Sequence, residues 1–144
     1  MSPERARSAD ADAVYGLLHE AAVWLSARGE IFVARGAITR PGTEAELAAT
    51  LQLVDDDPEI WEPSLGDVLF VHRLCVARAH AGRGLGLSLL DWAGAQARSR
   101  GRRWLRLDCV ASNARLRRYY ADAGFAPRGE VDVGIRRARF ERMA

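Results

Sequence analysis

Three glycines lie close together where a strand-like run gives way to a helical one. In the stretch HRLCVARAHAGRGLGLSLLDWA, residues 72–93, an apolar run is followed by Gly82, Gly84 and Gly86 and then by an amphipathic helix. Glycine costs a helix about 1 kcal/mol relative to alanine, so another requirement must outweigh that cost. Glycines let a backbone approach a ligand closely, and the N–H groups at the start of a helix attract anions. The pattern predicts a loop that holds a pyrophosphate on the N–H groups of residues 82–87.

The glycines are also compatible with a tight turn or with a dinucleotide-binding loop. A tight turn that needs left-handed residues would select glycine, but three glycines around Arg83 exceed what a turn requires. A dinucleotide-binding fold would carry the pattern G-x-G-x-x-G, and Leu87 stands where its third glycine should be. Asp108 ends the next strand, where a ribose-binding acid would lie. Only one helix and a hairpin follow Asp108, which is too little chain for the rest of a doubly wound sheet.

Charged residues are unevenly distributed along the chain. All 21 basic residues are arginine, which excludes the lysine of a phosphate-binding P-loop and the lysines that form Schiff bases. From residue 43 to residue 67 every charge is acidic, whereas residues 98–139 are rich in arginine. This asymmetry favours one face for a cation and another for an anion, and an ordinary solvated surface would give the same pattern.

Length and composition limit the class of protein. A chain of 144 residues that is 49% hydrophobic suits one compact domain, residues 1–144, with its own core. No run approaches the roughly 18 apolar residues of a membrane span, and the charged start MSPERARSADAD is unlike a signal peptide. We therefore expect a cytoplasmic protein without a membrane partner. Cys75 and Cys109 lie in apolar runs without CxxC spacing, which predicts reduced thiols and no metal site.

Hydrophobic periodicity predicts the elements that position these residues. Strands are predicted at residues 30–36, 48–54, 67–76 and 103–110, helices at 85–100 and 113–123, and two final antiparallel strands in GEVDVG and IRRARFERM. The order of helix, three strands, helix, strand, helix and two strands indicates an α+β fold with one strand–helix–strand crossover. A first helix that ends near Gly29 is predicted from apolar residues at helical spacing: Val14, Leu17, Leu18, Ala21, Trp24 and Leu25.

Two segments of the chain resemble the GNAT superfamily of N-acetyltransferases. The family signature R/Q-x-x-G-x-G/A follows the fourth strand, and AGRGLG, residues 81–86, is similar to it except that Ala81 replaces the usual arginine or glutamine. A second signature is an asparagine that opens the helix after the fifth strand and a tyrosine four residues before a Gly-Phe pair. It is matched by Asn113, Tyr120, Gly124 and Phe125. The resemblance is specific over residues 71–131. It implies a mixed, mostly antiparallel central sheet of about six strands, with helices on both faces and a splay between the fourth and fifth strands.

The resemblance also implies acetyl-CoA as the donor of an acetyl group and a primary amine as its acceptor. The backbone of residues 74–76 would pair with the pantetheine arm where the fourth and fifth strands separate, and the pyrophosphate would lie on residues 82–87. The complete set of cofactor-binding residues that it implies is Leu74, Cys75, Val76, Ala81, Gly82, Arg83, Gly84, Leu85, Gly86, Leu87, Ser88, Asn113, Leu116 and Tyr120.

Candidate catalytic residues follow from the same comparison. Tyr120 would face the departing thiolate, and a phenol with an ordinary pKa of about 10 is protonated at neutral pH and can serve as the general acid. We expect Tyr119 to be a packing residue. The general base is open between His72, Asp108 and water. Strand alternation places His72 on the same face as Leu74 and Val76, and Asp108 is also a candidate partner for an arginine.

The chain departs from the family pattern in three places. The first strand is reduced to ERARS, no room is left for the usual second helix between Gly29 and Ile31, and the final hairpin turn has only Gly134. Two strands do not easily reverse on one residue, because the tightest common hairpins use two. We therefore expect segments to be absent from this sequence near Gly29 and Gly134.

The sequence predicts an enzyme that acetylates a small cationic amine. The acidic stretch VDDDPEIWEP would attract an ammonium ion, and Trp61 within it offers an aromatic face for a cation. The alternatives are a protein or peptide N-terminal acetyltransferase, or a non-catalytic acyl-CoA sensor, which needs the glycine loop but not Tyr120. The arginines are not interleaved with aromatic residues, which argues against nucleic acid as a partner. Assembly is left open between a monomer and a homodimer.

Overall fold

The fold is described by a computed structural model, which covers residues 3–18, 30–35 and 46–144. Each predicted element between residues 30 and 123 begins and ends within one residue of its observed bounds. None of the helices in the described ranges has the length and apolar character needed to cross a membrane. The elements are β1 (Glu4–Arg5), α1 (Ala11–Leu18), β2 (Glu30–Arg35), β3 (Leu47–Val54), β4 (Val68–Val76), α2 (Leu85–Ser99), β5 (Trp104–Val110), α3 (Ala114–Asp122), β6 (Ala126–Asp132) and β7 (Arg136–Met143).

The strands form a mixed sheet in the order β1-β2-β3-β4-β5-β7-β6. β1 with β2, β2 with β3, β5 with β7 and β6 with β7 are antiparallel pairs, whereas β4 and β5 are parallel. The parallel ladder joins Val68–Phe70 to Trp104–Arg106, so it covers the first three residues of β4. The predicted fold class is confirmed, with seven strands instead of about six, and the short parallel ladder is what a splay between the fourth and fifth strands requires.

One compact unit comprises the described parts of Met1–Leu53 together with Arg73–Trp92. Its hydrophobic cluster contains Val14, Val33 and Leu47, and every residue of β3 is buried. Burial of a side chain of this size stabilises a fold by about 1.5–3 kcal/mol. The strand is therefore buried on both of its faces, and this includes its polar residues Thr50 and Gln52.

A buried ion pair lies in this first unit. The Asp10 carboxylate, with 3% of its side chain exposed, accepts hydrogen bonds from Arg35 Nη2 at 2.5 Å and from the backbone N–H of Arg7 at 2.7 Å. Arg35 Nε also donates to Glu4 Oε1 at 2.6 Å, which ties β2 to β1. Burial alone would raise the pKa of Asp10, but the bonds from Arg35 and Arg7 outweigh it, so the pKa is lowered.

The other compact unit comprises Val54–His72 and Ala93–Ala144. The loop between β3 and β4 folds Trp61 inward, where it joins a buried cluster with Val54, Val68 and Phe70. The turn that does this begins at Asp57, whose carbonyl accepts a hydrogen bond from the Trp61 N–H at 2.8 Å. Because the two units are each compact, the single domain predicted over residues 1–144 stays a prediction.

Strand β5 has two chemically different faces in this second unit. Leu105, Leu107 and Cys109 are buried, whereas the residues that alternate with them are half-buried. We call the first set the apolar face and the second, which carries Arg106 and Asp108, the polar face. Residues opposite one another in an antiparallel pair share a face, so β7 extends the polar face with Arg139 opposite Asp108 and Glu141 opposite Arg106.

The final hairpin turns on three residues, not one. β6 ends at Asp132 and β7 begins at Arg136, so residues 133–135 form the turn. Gly134 has a φ angle of +92° and its N–H group donates to Asp132 Oδ1 at 3.1 Å. The premise of a one-residue turn was wrong, because the strand patterns were extended too far into the turn. The absent segment expected near Gly29 would lie outside the described residues. The same is true of three residues of the predicted first helix, Ala21, Trp24 and Leu25.

Removing the carboxylate of Asp10 tests the buried ion pair. We expect Asp10→Asn to lower the free energy of unfolding at pH 7 by about 1–3 kcal/mol, because Arg35 then lacks its buried partner. Since the pKa of Asp10 is lowered in the folded state, the carboxylate stabilises the fold above the ordinary aspartate range, near pH 4, and this stabilisation is lost as the pH falls through the lowered pKa. Denaturant unfolding at pH 7 and pH 3 measures it.

The matched control is Glu4→Gln, which removes the other carboxylate that Arg35 contacts. More than half of the Glu4 side chain is exposed, so its loss should cost less than about 1 kcal/mol. The assignment of the buried pair would be contradicted if the two variants lost equal free energy of unfolding. It would also be contradicted if the loss for Asp10→Asn were as large at pH 3 as at pH 7.

Candidate active site

A loop with two left-handed glycines precedes α2. Gly82 and Gly84 each have a φ angle of +73°, which residues with a side chain rarely adopt. A Cβ atom at either position would meet nothing within 4 Å, so conformation and not crowding requires glycine there. α2 begins directly afterwards at Leu85. Because the N–H groups in the first turn of a helix have no partner within the helix, the loop and this turn form a cradle for an anion.

A tight turn accounts for part of the glycine pattern. It explains Gly82 and Gly84, but Gly86 lies inside α2 and is buried there, where a turn does not require glycine. Ser88 is engaged with the loop, because its hydroxyl donates to the Gly84 carbonyl at 3.2 Å and its N–H donates to the same oxygen at 3.0 Å. Leu85 is buried with Gly86, and the remaining predicted phosphate-binding residues of this segment are exposed: Ala81, Gly82, Arg83, Gly84, Leu87 and Ser88.

The end of β4 carries the residues predicted to pair with the pantetheine arm. Leu74, Cys75 and Val76 are half-buried there. Arg73, just before them, has a φ angle of +52°. A left-handed residue interrupts the alternation of a strand, so alternation across Arg73 does not place His72 on the face of Leu74 and Val76. Burial raises the pKa of the Cys75 thiol, which keeps the thiol protonated at neutral pH.

Asn113 opens α3 as its N-cap. Its Oδ1 atom accepts a hydrogen bond from the N–H of Leu116 at 3.0 Å, and this satisfies one of the donors at the start of the helix. Gly124, with a φ angle of +87°, ends the same helix one residue after its C-cap. The sequence predicted both ends. The cap occupies the side-chain oxygen of Asn113, so its NH₂ group is the part left for a ligand in the predicted binding role.

Tyr120 is buried on the apolar face of β5. Its ring centroid lies 5.9 Å from that of Phe125 and 5.8 Å from that of Phe140, and 5.6 Å from Tyr119. Burial raises the pKa of its phenol well above the ordinary value, and Cys109 and Tyr119 act in the same direction. The phenol therefore holds its proton at neutral pH. The predicted division into a packing Tyr119 and a catalytic Tyr120 is incomplete, because Tyr120 also packs in the core.

Three side chains meet beside the polar face of β5. His72 Nε2 lies 3.1 Å from Asp57 Oδ2, and Asp108 Oδ2 accepts a hydrogen bond from Arg137 Nε at 2.6 Å. One ligand atom from each of Asp57, His72 and Asp108 lies within 4.8 Å of the others. The two residues predicted as candidate bases are thus brought together. Asp108 also has the arginine partner considered for it.

Asp57 is the residue that sequence reasoning missed. It was treated as one of three similar carboxylates in an acidic loop, but only 6% of it is exposed, whereas Asp55 and Asp56 are exposed. The cause is the turn that starts at Asp57 and buries Trp61, which carries the carboxylate inward. An aromatic residue four positions after the last aspartate of a DDDP run was the available signal.

The spacing of Asp57, His72 and Asp108 also suits metal ligands. Imidazole and carboxylate groups are common ligands of transition metals, and these three are close enough to hold one cation. Arg137 already neutralises Asp108, which weakens that set as a metal site. The prediction that the protein has no metal stays a prediction.

Two cavities adjoin in the second unit. The one that we call the acidic cavity has a volume of about 300 Å³ and is bordered by Asp55, Asp56, Asp57, Trp61, Glu62 and Phe70, among others. The one that we call the arginine cavity has a volume of about 460 Å³ and is lined by Trp61, Glu62, Arg106, Pro127, Arg128, Gly129 and Arg139. Since Trp61 and Glu62 line both, the two cavities share a wall.

The ring of Trp61 already holds cations. The guanidinium carbons of Arg106 and Arg139 lie 4.6 Å and 5.3 Å from its centroid. Two guanidinium groups therefore share this ring, and the expected contact between the ring and the ammonium of a substrate stays a prediction.

Comparisons with known proteins agree on one family. Residues 9–125 match the model of the Acetyltransferase (GNAT) family. A Bacillus subtilis (strain 168) protein named uncharacterized N-acetyltransferase YesJ is 33% identical over 138 residues, which covers 81% of this chain and 76% of that protein.

Solved structures with low sequence identity share the fold. A GNAT-family acetyltransferase from Desulfovibrio desulfuricans superposes with a TM-score of 0.77 at 17% identity, over 99% of this chain and 98% of the other. An acetyltransferase from Bacillus subtilis, solved in complex with CoA, superposes with a TM-score of 0.71 at 18% identity, over 99% of this chain and 97% of the other.

Proposed function

Because the chain belongs to the GNAT family of acetyltransferases, we propose that it transfers an acetyl group from acetyl-CoA directly to the nitrogen of a primary amine. The observation that carries the proposal is the pair of His72 and the buried Asp57, 3.1 Å apart, in which Asp57 also borders the acidic cavity. This pair supplies a base next to a site that attracts ammonium ions. We also propose that the enzyme is cytoplasmic and needs no metal.

The glycine loop supports the binding of acetyl-CoA. Gly82 and Gly84 leave open space where side chains would stand, which fits a pyrophosphate held by backbone N–H groups. Residues 74–76 would pair with the pantetheine arm, and Asn113 and Leu116 would contact it from the start of α3. When bound, acetyl-CoA supplies an activated acetyl group, whose carbonyl carbon forms a bond to the amine nitrogen as its bond to sulfur breaks.

We assign the role of general base to His72. An ammonium ion must lose a proton before its nitrogen can attack, and an unprotonated imidazole can take it. Asp57 faces Nε2, so Nδ1 is the nitrogen that accepts the proton in this proposal. The Asp57 carboxylate fixes the orientation of the ring and stabilises the imidazolium that results. Asp108, paired with Arg137, acts as a fixed charge beside them.

We assign the role of general acid to Tyr120. Burial keeps the phenol of Tyr120 protonated at neutral pH. In this proposal the phenol gives its proton to the thiolate that departs with CoA and regains one from the acetylated nitrogen, which loses its second proton as the amide forms. Tyr120 packs on the apolar face of β5, whereas His72 lies beside Asp108 of its polar face, so the proposed acid and base lie on opposite sides of that strand.

The acceptor that this arrangement favours is a small amine in its ammonium form. The acidic cavity gathers Asp56, Asp57 and Glu62 around about 300 Å³, which suits a small cation better than a protein chain. A protein or peptide amino terminus is the alternative acceptor. A non-catalytic acyl-CoA sensor is the alternative role, and the Asp57–His72 pair argues against it, because a sensor needs no base.

Replacing Gly84 with alanine tests the proposed phosphate loop. A side chain at a φ angle of +73° forces the loop to move, so we expect Gly84→Ala to abolish the rise in melting temperature that saturating CoA gives the wild-type protein. Gly101→Ala is the matched control, because Gly101 has a φ angle of +70° with equally open space and lies just after the other end of α2.

Both glycine variants should lose about 1–2 kcal/mol of stability from backbone strain. Only Gly84→Ala should lose the response to CoA. If Gly84→Ala melts at a higher temperature with CoA by as much as Gly101→Ala does, the loop does not hold the pyrophosphate.

Removing one oxygen from Tyr120 tests the general acid. Tyr120→Phe keeps the ring in its aromatic cluster and removes the proton donor, so we expect kcat to fall by about 10²–10⁴-fold while the affinity for acetyl-CoA is kept. Tyr119→Phe is the control and should leave kcat within about twofold of wild type, because a packing residue keeps its ring in this variant. An unchanged kcat in Tyr120→Phe would reject the assignment and leave Tyr120 as a core residue.

A double-mutant cycle tests whether Asp57 acts through His72. We expect His72→Gln to lower kcat by about 10²-fold or more, and Asp57→Asn to lower it by about tenfold or more. Asp57→Asn should have no further effect in a His72→Gln background, because Asp57 is a positioning residue. Additive losses in the cycle would mean that Asp57 acts independently of His72.

Asp12→Asn is the control for this cycle. Asp12 is an exposed residue of α1 that borders neither cavity, so kcat of this variant should stay at the wild-type value. Dialysis against EDTA should also leave the wild-type turnover unchanged. If turnover is lost and a divalent metal restores it, Asp57, His72 and Asp108 are metal ligands and not proton-transfer groups.

A further inference from the structure

The arginine cavity has a surplus of positive charge. Arg106 Nε and Arg128 Nη2 lie 2.6 Å and 3.2 Å from the two carboxylate oxygens of Glu141, so these two guanidinium groups share one carboxylate. Arg139 and Glu62 complete the charged lining. Three guanidinium groups against two carboxylates leave one positive charge. A group with a single negative charge, such as a carboxylate, therefore balances the cavity better than a doubly charged phosphate.

Unsatisfied hydrogen-bonding atoms border both cavities. Among the described residues, three buried side-chain atoms have no hydrogen-bond partner: Asp57 Oδ2, Trp61 Nε1 and Arg139 Nε. Asp57 Oδ2 lies 3.1 Å from His72 Nε2, so its remaining lone pair is the one left for a ligand. Asp57, which borders the acidic cavity, supplies an acceptor, whereas Arg139, which lines the arginine cavity, and Trp61, which lines both, supply donors. A ligand with an ammonium group and a carboxylate group complements this arrangement.

The arginine cavity and the proposed base lie on the same side of the sheet. Arg106 and Asp108 are alternate residues of β5, and Arg139 is the partner of Asp108 on β7. Alternate residues of a strand are about 7 Å apart, so one small molecule can reach from the acidic cavity to the arginine cavity. Trp61, which lines both, is the shared wall along which such a molecule would lie.

We propose that the arginine cavity binds a carboxylate group of the acceptor, so that the substrate is an amino-carboxylate whose amine enters the acidic cavity. This rests on the proposed function. Arg139 and the Trp61 indole N–H are the specificity-determining hydrogen-bond donors. Arg106 and Arg128 contribute to the positive electrostatic potential of the cavity. The arginine-rich segment near the end of the chain thereby recognises an anion, and the acidic loop recognises a cation, within one substrate.

Lysine and cadaverine are the probes that isolate the carboxylate. They differ only in that group, and lysine offers amines at two distances from it. We expect the wild-type kcat/KM for lysine to exceed that for cadaverine by about 10-fold or more. Arg139→Gln should raise the KM for lysine by about 10- to 100-fold while the KM values for cadaverine and acetyl-CoA stay unchanged. Trp61→Phe, which keeps an aromatic ring and removes the N–H donor, should change the lysine KM in the same direction.

Arg103→Gln is the matched control variant. Arg103 is an exposed arginine whose guanidinium carbon lies 5.8 Å from the ring centroid of Trp104, outside the arginine cavity. It should leave both acceptor KM values unchanged. Equal kcat/KM values for lysine and cadaverine in the wild type, or an equal KM change for both in Arg139→Gln, would overturn the proposal.

Calorimetry without acetyl-CoA separates this proposal from the function on which it rests. Lysine should bind the wild-type protein and the Arg103→Gln variant, and its affinity for Arg139→Gln should be about 10- to 100-fold weaker. If lysine binding depends on Arg139 but no acetyl transfer occurs, the carboxylate site is supported and the acetyltransferase function is rejected. If cadaverine is acetylated but lysine does not bind detectably, the function is supported and the carboxylate site is rejected.

Discussion

The alternation of side chains along β5 is the constraint on which the second unit depends. Because successive residues of a strand point to opposite faces, Leu105, Leu107 and Cys109 form one side and Arg106 and Asp108 form the other. The apolar side requires a hydrophobic cover, and α3 supplies it with Tyr120. The polar side keeps the charged residues of β5 and β7 in register, so Asp108 and Arg139 lie opposite one another. A shift of one residue between these strands would exchange the faces and destroy both sets of contacts.

Much of the local structure could be predicted because it depends on neighbouring residues. The cap at Asn113, the left-handed Gly124 and the bounds of the strands and helices between residues 30 and 123 follow from short-range preferences. The single-residue turn was a wrong prediction, because the apolar residues that flank Gly134 resemble strand residues in sequence. In the structure they are exposed and belong to the turn.

The candidate site was predicted only in part, because its remaining contacts join distant segments. His72, Asp108 and Tyr120 could be found from residue type and family signature. Asp57 has one local signal, the aromatic residue four positions later, but the place of Trp61 in the core is not local, since its ring lies beside Arg106 and Arg139, which follow it by 45 and 78 residues. A run of acidic residues looks uniform in sequence. The fold separates it into exposed carboxylates and one buried carboxylate beside the histidine.

The lining of the arginine cavity also has a consequence for chemical compatibility. A thioester acylates unprotonated primary amines readily, and a lysine in such a cavity would become a competing nucleophile whenever its proton was lost. A guanidinium group stays protonated up to a pH above 12 and has no such nucleophilic form. Guanidinium groups can therefore lie close to an acyl donor without being acylated. The same chain has no lysine anywhere in its 144 residues, so no side chain of the protein can compete with the acceptor as an alkylamine.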